Sequence, residues 1–517
     1  MRTINSMKNI YMSLLTQIVI VLLGFISRKV FLDSLGTEYL GINGLLSNVL
    51  SMLSLAEGGI GVSIVYNLYK PLADNDRCEI TALIQLYKKV YLIIACTVLV
   101  LSFSLYPFIN RLVEDGENIP FLNIVYFIFV INNVISYLNA HKWSLINADQ
   151  KGYLLTKYNI IFKVITSISQ IIILKITNNY ILFLIIELAI TLIQNIYNGK
   201  VVYNLYPYIC TNKKYKIDKI TKHNIVQNVK ALFLHNIGTY CVFGTDNLLI
   251  SFFINVKTVG LYSNYTLVIG QLGRLISPII TSIEHSIGNL VASESKEKVY
   301  EIFKSIYLVN FWIYSVAVIF LYNLLEPFIN IWLGEGLLLN RLTLIVILIN
   351  FYITGLRKTI STFKSKAGIF TNDKYVPILE AIVNLGSSII LVRYLGLAGI
   401  FMGTIISSLL FPVWIQSRLV YKNVFSKSFN QYLRIYIIYA VLTIITGIFT
   451  TLICSKISIT SEFVNLIIKG FICIIFPSFV YICVFYNNRE FKFIQQILLR
   501  VMSNLSCKIT SKIKTNV

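Results

Sequence analysis

Fourteen stretches of about 20 mainly apolar residues follow one another along this chain, parted by short polar breaks, and nothing else in the sequence limits the fold so strongly. They run approximately 9–31, 39–67, 88–109, 120–141, 154–175, 179–199, 226–253, 259–290, 302–324, 342–362, 375–393, 397–417, 435–454 and 463–486. Each is long enough, as a helix, to cross a hydrocarbon core of about 30 Å. In lipid every backbone N–H and C=O must be satisfied within the segment, which excludes open strands, and a barrel lacks apolar runs of this length. The chain is therefore predicted to be an all-α integral membrane protein with about 14 transmembrane helices. A composition that is 56% hydrophobic and 13% charged, with a mean hydropathy of +0.72, excludes a water-soluble domain.

The basic excess supports this division. Lys+Arg number 45 against 23 Asp+Glu. Of these basic residues 34 lie on the side of the N-terminal tail, and the opposite loops hold eight: Arg28, Lys29, Arg111, Lys175, Lys257, Arg341, Arg393 and Lys456. One missed helix early in the chain would scramble such a bias, so it predicts both termini in the cytoplasm. Nucleic-acid binding needs a basic face on a soluble module, and none is present. Arg2 and Lys8 precede the first apolar run, which lacks a small-residue cleavage site and is expected to stay as a span.

The chain also repeats itself. PFINRLVEDG (107–116) returns as PFINIWLGEG (327–336), and a shift of 217 to 220 residues also pairs Leu40-Gly41 with Val259-Gly260, Ile131-Asn132 with Ile349-Asn350, and Lys157-Tyr158 with Lys374-Tyr375. Each pair holds the same place in the helix order. Six helices per half is an even number, so the halves form a parallel repeat about an axis along the membrane normal. The predicted organisation is an N-terminal six-helix lobe (1–206), a basic cytoplasmic linker (207–225), a C-terminal six-helix lobe (226–430), helices 13 and 14 (431–486) and a basic tail (487–517). The two PFIN copies are expected at matching outer corners. Two like lobes that rock about a crevice are the architecture of transporters.

Ionisable residues inside spans cost about 2.5–3.5 kcal/mol each on insertion scales and so mark pathways. Arg28 and Glu57 in the first half, and Asp246 and Arg274 in the second, fall at matching heights with their signs exchanged. The arginines suit an anionic group held by bidentate hydrogen bonds. Glu57 and Asp246 are read either as coupling-ion sites or as partners of an arginine. Arg28 and Lys29 near a helix end could instead snorkel to the interface. Snorkelling is also the reading for Lys163, Lys175, Glu187, Lys364, Lys366, Glu380, Arg393 and Lys469. EGGIG (57–61) reads equally as a hinge or as tight packing. Pro278, Pro377, Pro412 and Pro477 interrupt later spans, and Glu284-His285 is read first as a hydrogen-bonded structural histidine and second as a proton-sensitive pair.

An enzyme is not expected. The outer loops are short, and the acids of VEDGEN (113–118) are mostly lost from its repeat copy, so no catalytic residue is assigned. The eight cysteines show no CxxC pair and read as small helix residues, neither disulfides nor metal ligands. No cofactor is expected. Without a GxxxxGK[ST] loop to use ATP, the power source is left among an H⁺ or Na⁺ gradient, the membrane potential and metabolic pull.

LGTEYLGINGLLSNVLSMLSLAEGGIGVSIVYNLYKPLADND (35–76), followed by YKKVY (87–91) and PFIN, resembles the N-terminal half of bacterial polysaccharide flippases of the O-antigen and capsule type. These form the polysaccharide transporter branch of the multidrug/oligosaccharidyl-lipid/polysaccharide exporter superfamily. The resemblance implies a protein of the bacterial inner membrane that turns undecaprenyl-diphosphate-linked oligosaccharides outward for capsule, O-antigen or exopolysaccharide assembly. It implies membrane lipid and the lipid-linked oligosaccharide as partners, with a polysaccharide polymerase and glycosyltransferases as candidates. Arg28 and Arg274 would then meet the diphosphate, and Asn43, Ser47, Asn48, Tyr262 and Asn264 the sugars. Arg28 is followed by Lys29 and not by an acid, which departs from the arginine and acid constellation of related lipid II flippases. The alternative is a multidrug or metabolite cation antiporter of the same superfamily, which would rely on Glu57 and Asp246.

Overall fold

Among the described residues every regular element is helical, as lipid demands of a chain whose apolar runs are too long for strands. The computed structural model describes residues 2–57, 60–109, 120–211, 213–215, 217, 222, 225–226, 229, 240, 244–369, 373 and 375–496. VEDGEN, the first PFIN copy beyond Ile109, most of the basic linker, Gly58, Gly59 and the tail from 497 lie outside these residues, as do the side chains of Pro278, Glu284 and His285. Contacts divide the chain into two compact units, Met1–Asn264 and Tyr265–Val517.

The first unit begins with α1 (Arg2–Leu53), which turns sharply at Gly36, where φ is 84° and ψ is −177°. Only glycine adopts that backbone without strain, so the two apolar runs become two arms of one bent element. A 3₁₀ turn at Ser54–Glu57 breaks the second arm before α2 (Ile60–Asp74). EGGIG thus combines both of its readings: the helix is interrupted at Glu57, and an added Cβ at Gly61 would lie 3.0 Å from both Glu57 Oε1 and the Tyr91 hydroxyl. Asp76 caps α3 (Arg77–Leu105) by accepting from the Glu79 N–H at 2.9 Å. Then come α4 (Leu122–Leu138) and α5 (Ala140–Ala148), bent by 44° against each other, α6 (Gly152–Thr177), α7 (Tyr180–Leu205), and α8 (Asp246–Phe253). The unit ends in the first turns of α9 (Val256–Ser293).

The internal repeat is visible inside this unit. A shift of 219 residues carries the bend at Gly36 onto Asn255, where α8 gives way to α9 and the Asn255 carboxamide accepts from the Thr258 N–H at 2.7 Å. Five residues beyond each corner stands a glycine, and the two glycines receive each other's helix. A Cβ on Gly41 would lie 2.0 Å from the Val256 carbonyl oxygen, and one on Gly260 would lie 2.2 Å from that of Thr37. Thr37 and Val256 are themselves related by the same shift, so the contact is reciprocal, as a two-fold axis requires. Small residues are what allow helix backbones to approach this closely in lipid. Gly260→Val is expected to destabilise the protein by about 1–3 kcal/mol, as overpacking does. Gly270→Ala, where a Cβ meets nothing within 4 Å, is the matched control and should be neutral or slightly stabilising. Thermal unfolding of the purified variants checks this, and equal midpoints would dismiss the crossing.

The second unit comprises the rest of α9, then α10 (Lys296–Leu333), α11 (Arg341–Lys366), α12 (Val376–Leu395), α13 (Leu397–Ser408), α14 (Ser417–Asn423), α15 (Phe429–Ser455) and α16 (Glu462–Phe485). Its core is aromatic: Phe303, Tyr307, Phe311, Phe363, Tyr421 and Tyr432 from α10, α11, α14 and α15 are buried against one another and against Phe425, just beyond α14. Gly355 makes room for the Tyr314 ring, 2.1 Å from where its Cβ would stand. A buried hydroxyl cluster joins α10, α11, α15 and α16, with Ser315 bonded to Thr443 at 2.8 Å and to Tyr481, and Thr443 donating to the Tyr352 hydroxyl at 3.1 Å. Cys454 and Cys473, both buried, bring their sulfurs to 3.8 Å as free thiols.

Nine described helices, and the bent pair α4 and α5, are long and apolar enough to cross a membrane. The two arms of α1 with α2, and α9, cover three of the other apolar segments, and α8 is the end of the fourth (226–253), most of which lies outside the described residues; an all-α multi-pass membrane protein with about 14 spans stands. Two local expectations change. Pro377 does not interrupt a span but opens α12 within its first turn, where its missing N–H costs nothing. Pro412 sits in a π-helical stretch, Leu409–Gln416, that carries α13 into α14. The PFIN copies differ locally: Pro107 lies in a 3₁₀ turn after α3, whereas Pro327 stays inside α10 near its end.

Candidate substrate-binding site

Arg28 stands in α1 eight residues before the bend, and that bend returns the chain so that α9 can meet it. Its Nη1 donates to Ser263 Oγ at 2.7 Å and to Asn264 Oδ1 at 3.4 Å. Ser263 in turn donates to the Gly260 carbonyl at 2.7 Å, so its oxygen accepts from the guanidinium. The arginine therefore rests on the turn of α9 that begins at the close glycine crossing. Asn264 is fully buried, and its Nδ2 has no described partner. Among the described residues no carboxylate pairs with Arg28, and the partners it has there are neutral dipoles. Lys29 is exposed.

Asp246 opens α8, where the helix N-terminus favours a carboxylate, and it lies within electrostatic reach of Tyr262. Glu57 accepts from the Tyr91 hydroxyl at 3.0 Å. Neither acid forms an ion pair with an arginine among the described residues. Asn48 accepts from the Tyr240 hydroxyl on its carbonyl at 2.5 Å, and its Nδ2 reaches the Gly244 carbonyl at 3.5 Å. Asn43 faces elsewhere. With Ser47, Asn132, Asn133, Ser136 and Glu187 it lines a cavity of about 350 Å³ between α1, α4 and α7, and Gln170 Nε2 donates to Glu187 at 3.0 Å. The structure thus brings Arg28 to Ser263 and Asn264, but leaves Asn43 in a separate polar cavity. Arg274, in the second unit, is exposed on α9 and makes no hydrogen bond or ion pair with a described residue.

Two acid and base pairs escaped the sequence reading. Glu380, assigned there to snorkelling, is buried and forked by Arg357, with Nη1 to Oε1 at 3.0 Å and Nη2 to Oε2 at 3.4 Å. Ser408 Oγ also donates to it, at 3.3 Å. Lys364, read the same way, instead bonds to the buried Asp373, which Gln416 Nε2 also reaches at 3.3 Å. Glu187 and Gln170 likewise form an internal pair. A charge near a span end can turn to water or to a partner across the helix, and only packing decides which. An arginine and a glutamate, each one turn or more inside an apolar run, were the available signal.

No family model matches the chain, and no curated protein matches it. Solved structures do, and they define a class of fold: that of transporters of the MOP superfamily. The likeness to the lipid II flippase MurJ in an inward closed conformation has a TM-score of 0.63 at 14% identity, covering 94% of this chain and 99% of that one. A variant of the Vibrio cholerae MATE transporter VcmN gives 0.56 at 13% identity over 82% of this chain and 99% of the other. A MOP superfamily transporter from Pyrococcus furiosus, described as having a binding pocket of reverse polarity, gives 0.54 at 15% identity over 81% and 96%.

Proposed function

We propose that this protein is a flippase that moves undecaprenyl-diphosphate-linked oligosaccharide units from the inner to the outer leaflet of a bacterial inner membrane by alternating access. The observation that carries the reading is the guanidinium of Arg28, which no described carboxylate pairs with and which is held by the hydroxyl of Ser263 and the carboxamide of Asn264. A diphosphate needs a cation that no carboxylate has neutralised, and hydroxyl-rich sugars need neutral amides and hydroxyls beside it. The likeness of fold to a lipid II flippase supports a lipid-linked cargo. The Pyrococcus furiosus transporter supports a change of pocket polarity within the fold. Arg274, exposed on α9, is proposed as a second phosphate ligand, with Glu57 and Asp246 as coupling groups for H⁺ or Na⁺.

Moving an anionic head outward runs down an inside-negative potential, worth about 2.3 kcal/mol per charge per 100 mV, so the voltage itself favours export. The prenyl tail stays in the bilayer, since excluding it from an apolar phase costs about 0.8 kcal/mol per CH₂. α15 and α16, whose outer faces carry exposed residues such as Ile444, Ile448, Phe471 and Phe479, are proposed to lie along its path. Deletion of the gene is expected to remove the surface polysaccharide and to trap its lipid-linked unit inside, while leaving susceptibility to cationic drugs unchanged. Intact polysaccharide together with drug hypersensitivity would reverse the assignment in favour of a cation antiporter.

A further inference from the structure

A second polar cavity lies within the first unit, between α4, α5, α6 and α7, with a volume of about 480 Å³. From α7 it takes Thr191, Gln194, Asn195 and Asn198, a stripe at steps of three and four residues along one helix face, and from α5 Trp143 and Asn147. The amides hold one another in place. Asn159 of α6 accepts on its Oδ1 from Gln194 Nε2 at 2.9 Å and from Asn198 Nδ2 at 2.7 Å. Asn195 Nδ2 donates to the Ile135 carbonyl at 3.0 Å, and Asn139 Nδ2 donates to Asn195. Asn198 is 4% exposed, and its Oδ1 is left without a partner among the described residues. A buried acceptor in that state costs about 1–3 kcal/mol unless something in the cavity donates to it.

The volume lies within the range of about 300–1,000 Å³ that small-molecule pockets occupy. An apolar occupant would leave the amides unpaired. An ion would meet no opposite charge, because the lining residues are uncharged and the four helices that supply them are described throughout. Hydroxyl groups donate and accept, as carboxamides do, and an indole ring offers a flat apolar surface to the C–H face of a pyranose. We infer that this cavity binds a neutral sugar ring, at a site whose lining does not include Arg28. It adjoins the cavity of Asn43 and Ser47, since Ser136 lines both. It lies along the half of α7 that ends at the basic linker, which the charge bias assigns to the side where a flippase loads its cargo. That the ring belongs to a lipid-linked unit rests on the proposed function; the binding of a sugar ring does not.

The full chain in phosphatidylcholine nanodiscs is titrated with the methyl glycosides of glucose, galactose and N-acetylglucosamine, and saturation-transfer NMR follows magnetisation passed from protein to sugar. Saturable transfer is expected with at least one glycoside, and its apparent Kd should weaken about fivefold to tenfold in Asn198→Leu and in Asn147→Ala, each of which removes hydrogen-bonding groups. Asn147 is exposed, so its variant folds even where Asn198→Leu does not. A second arm adds the same sugar as a glycolipid headgroup in the disc. Displacement of the free glycoside assigns the site to membrane-attached sugars, and binding without displacement assigns it to free ones. Arg28→Ala should bind the glycoside as the parent does, which keeps this result apart from the fate of the cargo reading. Absence of saturable transfer with all three glycosides overturns the site, as does binding that Asn147→Ala and Asn198→Leu leave unchanged or that Arg28→Ala removes.

Discussion

Arg28→Ala is expected to abolish surface polysaccharide and to leave the lipid-linked unit on the cytoplasmic side. Arg28 is held by Ser263 at 2.7 Å and Asn264 at 3.4 Å, and no described carboxylate answers its charge. A hydrogen bond to a charged group is worth about 1.5–3 kcal/mol, which corresponds to about a ten- to hundredfold loss in affinity for an anionic head. Arg28→Lys keeps the charge but not the planar fork, so it should retain partial export. Lys29→Ala, at an exposed neighbour, should behave as the parent. Polysaccharide and precursor are quantified with the variants at equal levels in the membrane. Parental export by Arg28→Ala would remove Arg28 from the site.

The largest effect on stability is expected at Glu380. Its side chain is 4% exposed, and its bidentate partner Arg357 is 21% exposed, so the pair joins α11 to α12 in the interior of the second unit. Glu380→Ala strands a guanidinium that cannot lose its proton, and breaking a buried pair from one side costs about 3–5 kcal/mol. Replacing both residues with apolar ones removes the desolvated charges together and is often neutral. The double variant Arg357→Met with Glu380→Leu should therefore recover most of the unfolding midpoint lost in the single variant. A double variant as unstable as Glu380→Ala would show that the carboxylate acts through something other than Arg357.

Both predictions rest on contacts of different legibility. The repeat of Leu40-Gly41 at Val259-Gly260 was readable because identical positions carry identical demands, yet the reason for the glycines was not. That reason is a backbone oxygen about 2 Å from each absent Cβ, contributed by the symmetry-related helix. Arg28 was readable as a charge in an apolar run, but its partners lie 235 and 236 residues away. Glu380 was visible too, and was assigned to the interface because proximity to a span end leaves the direction of a side chain open. Lys142 was counted with the basic residues that set topology, although packing withdraws it beneath Tyr203.

The sequence by itself determined the membrane environment, the helical class, the approximate number of spans and the internal repeat. Lipid imposes run length and backbone satisfaction residue by residue, and such local rules are written in local composition. The tertiary structure alone decided which charges are paired, which are left bare, and which cysteines and glycines meet. Those outcomes depend on helices that lie far apart in the chain and adjacent in space, where burial removes water as an alternative partner and makes the choice of neighbour decisive.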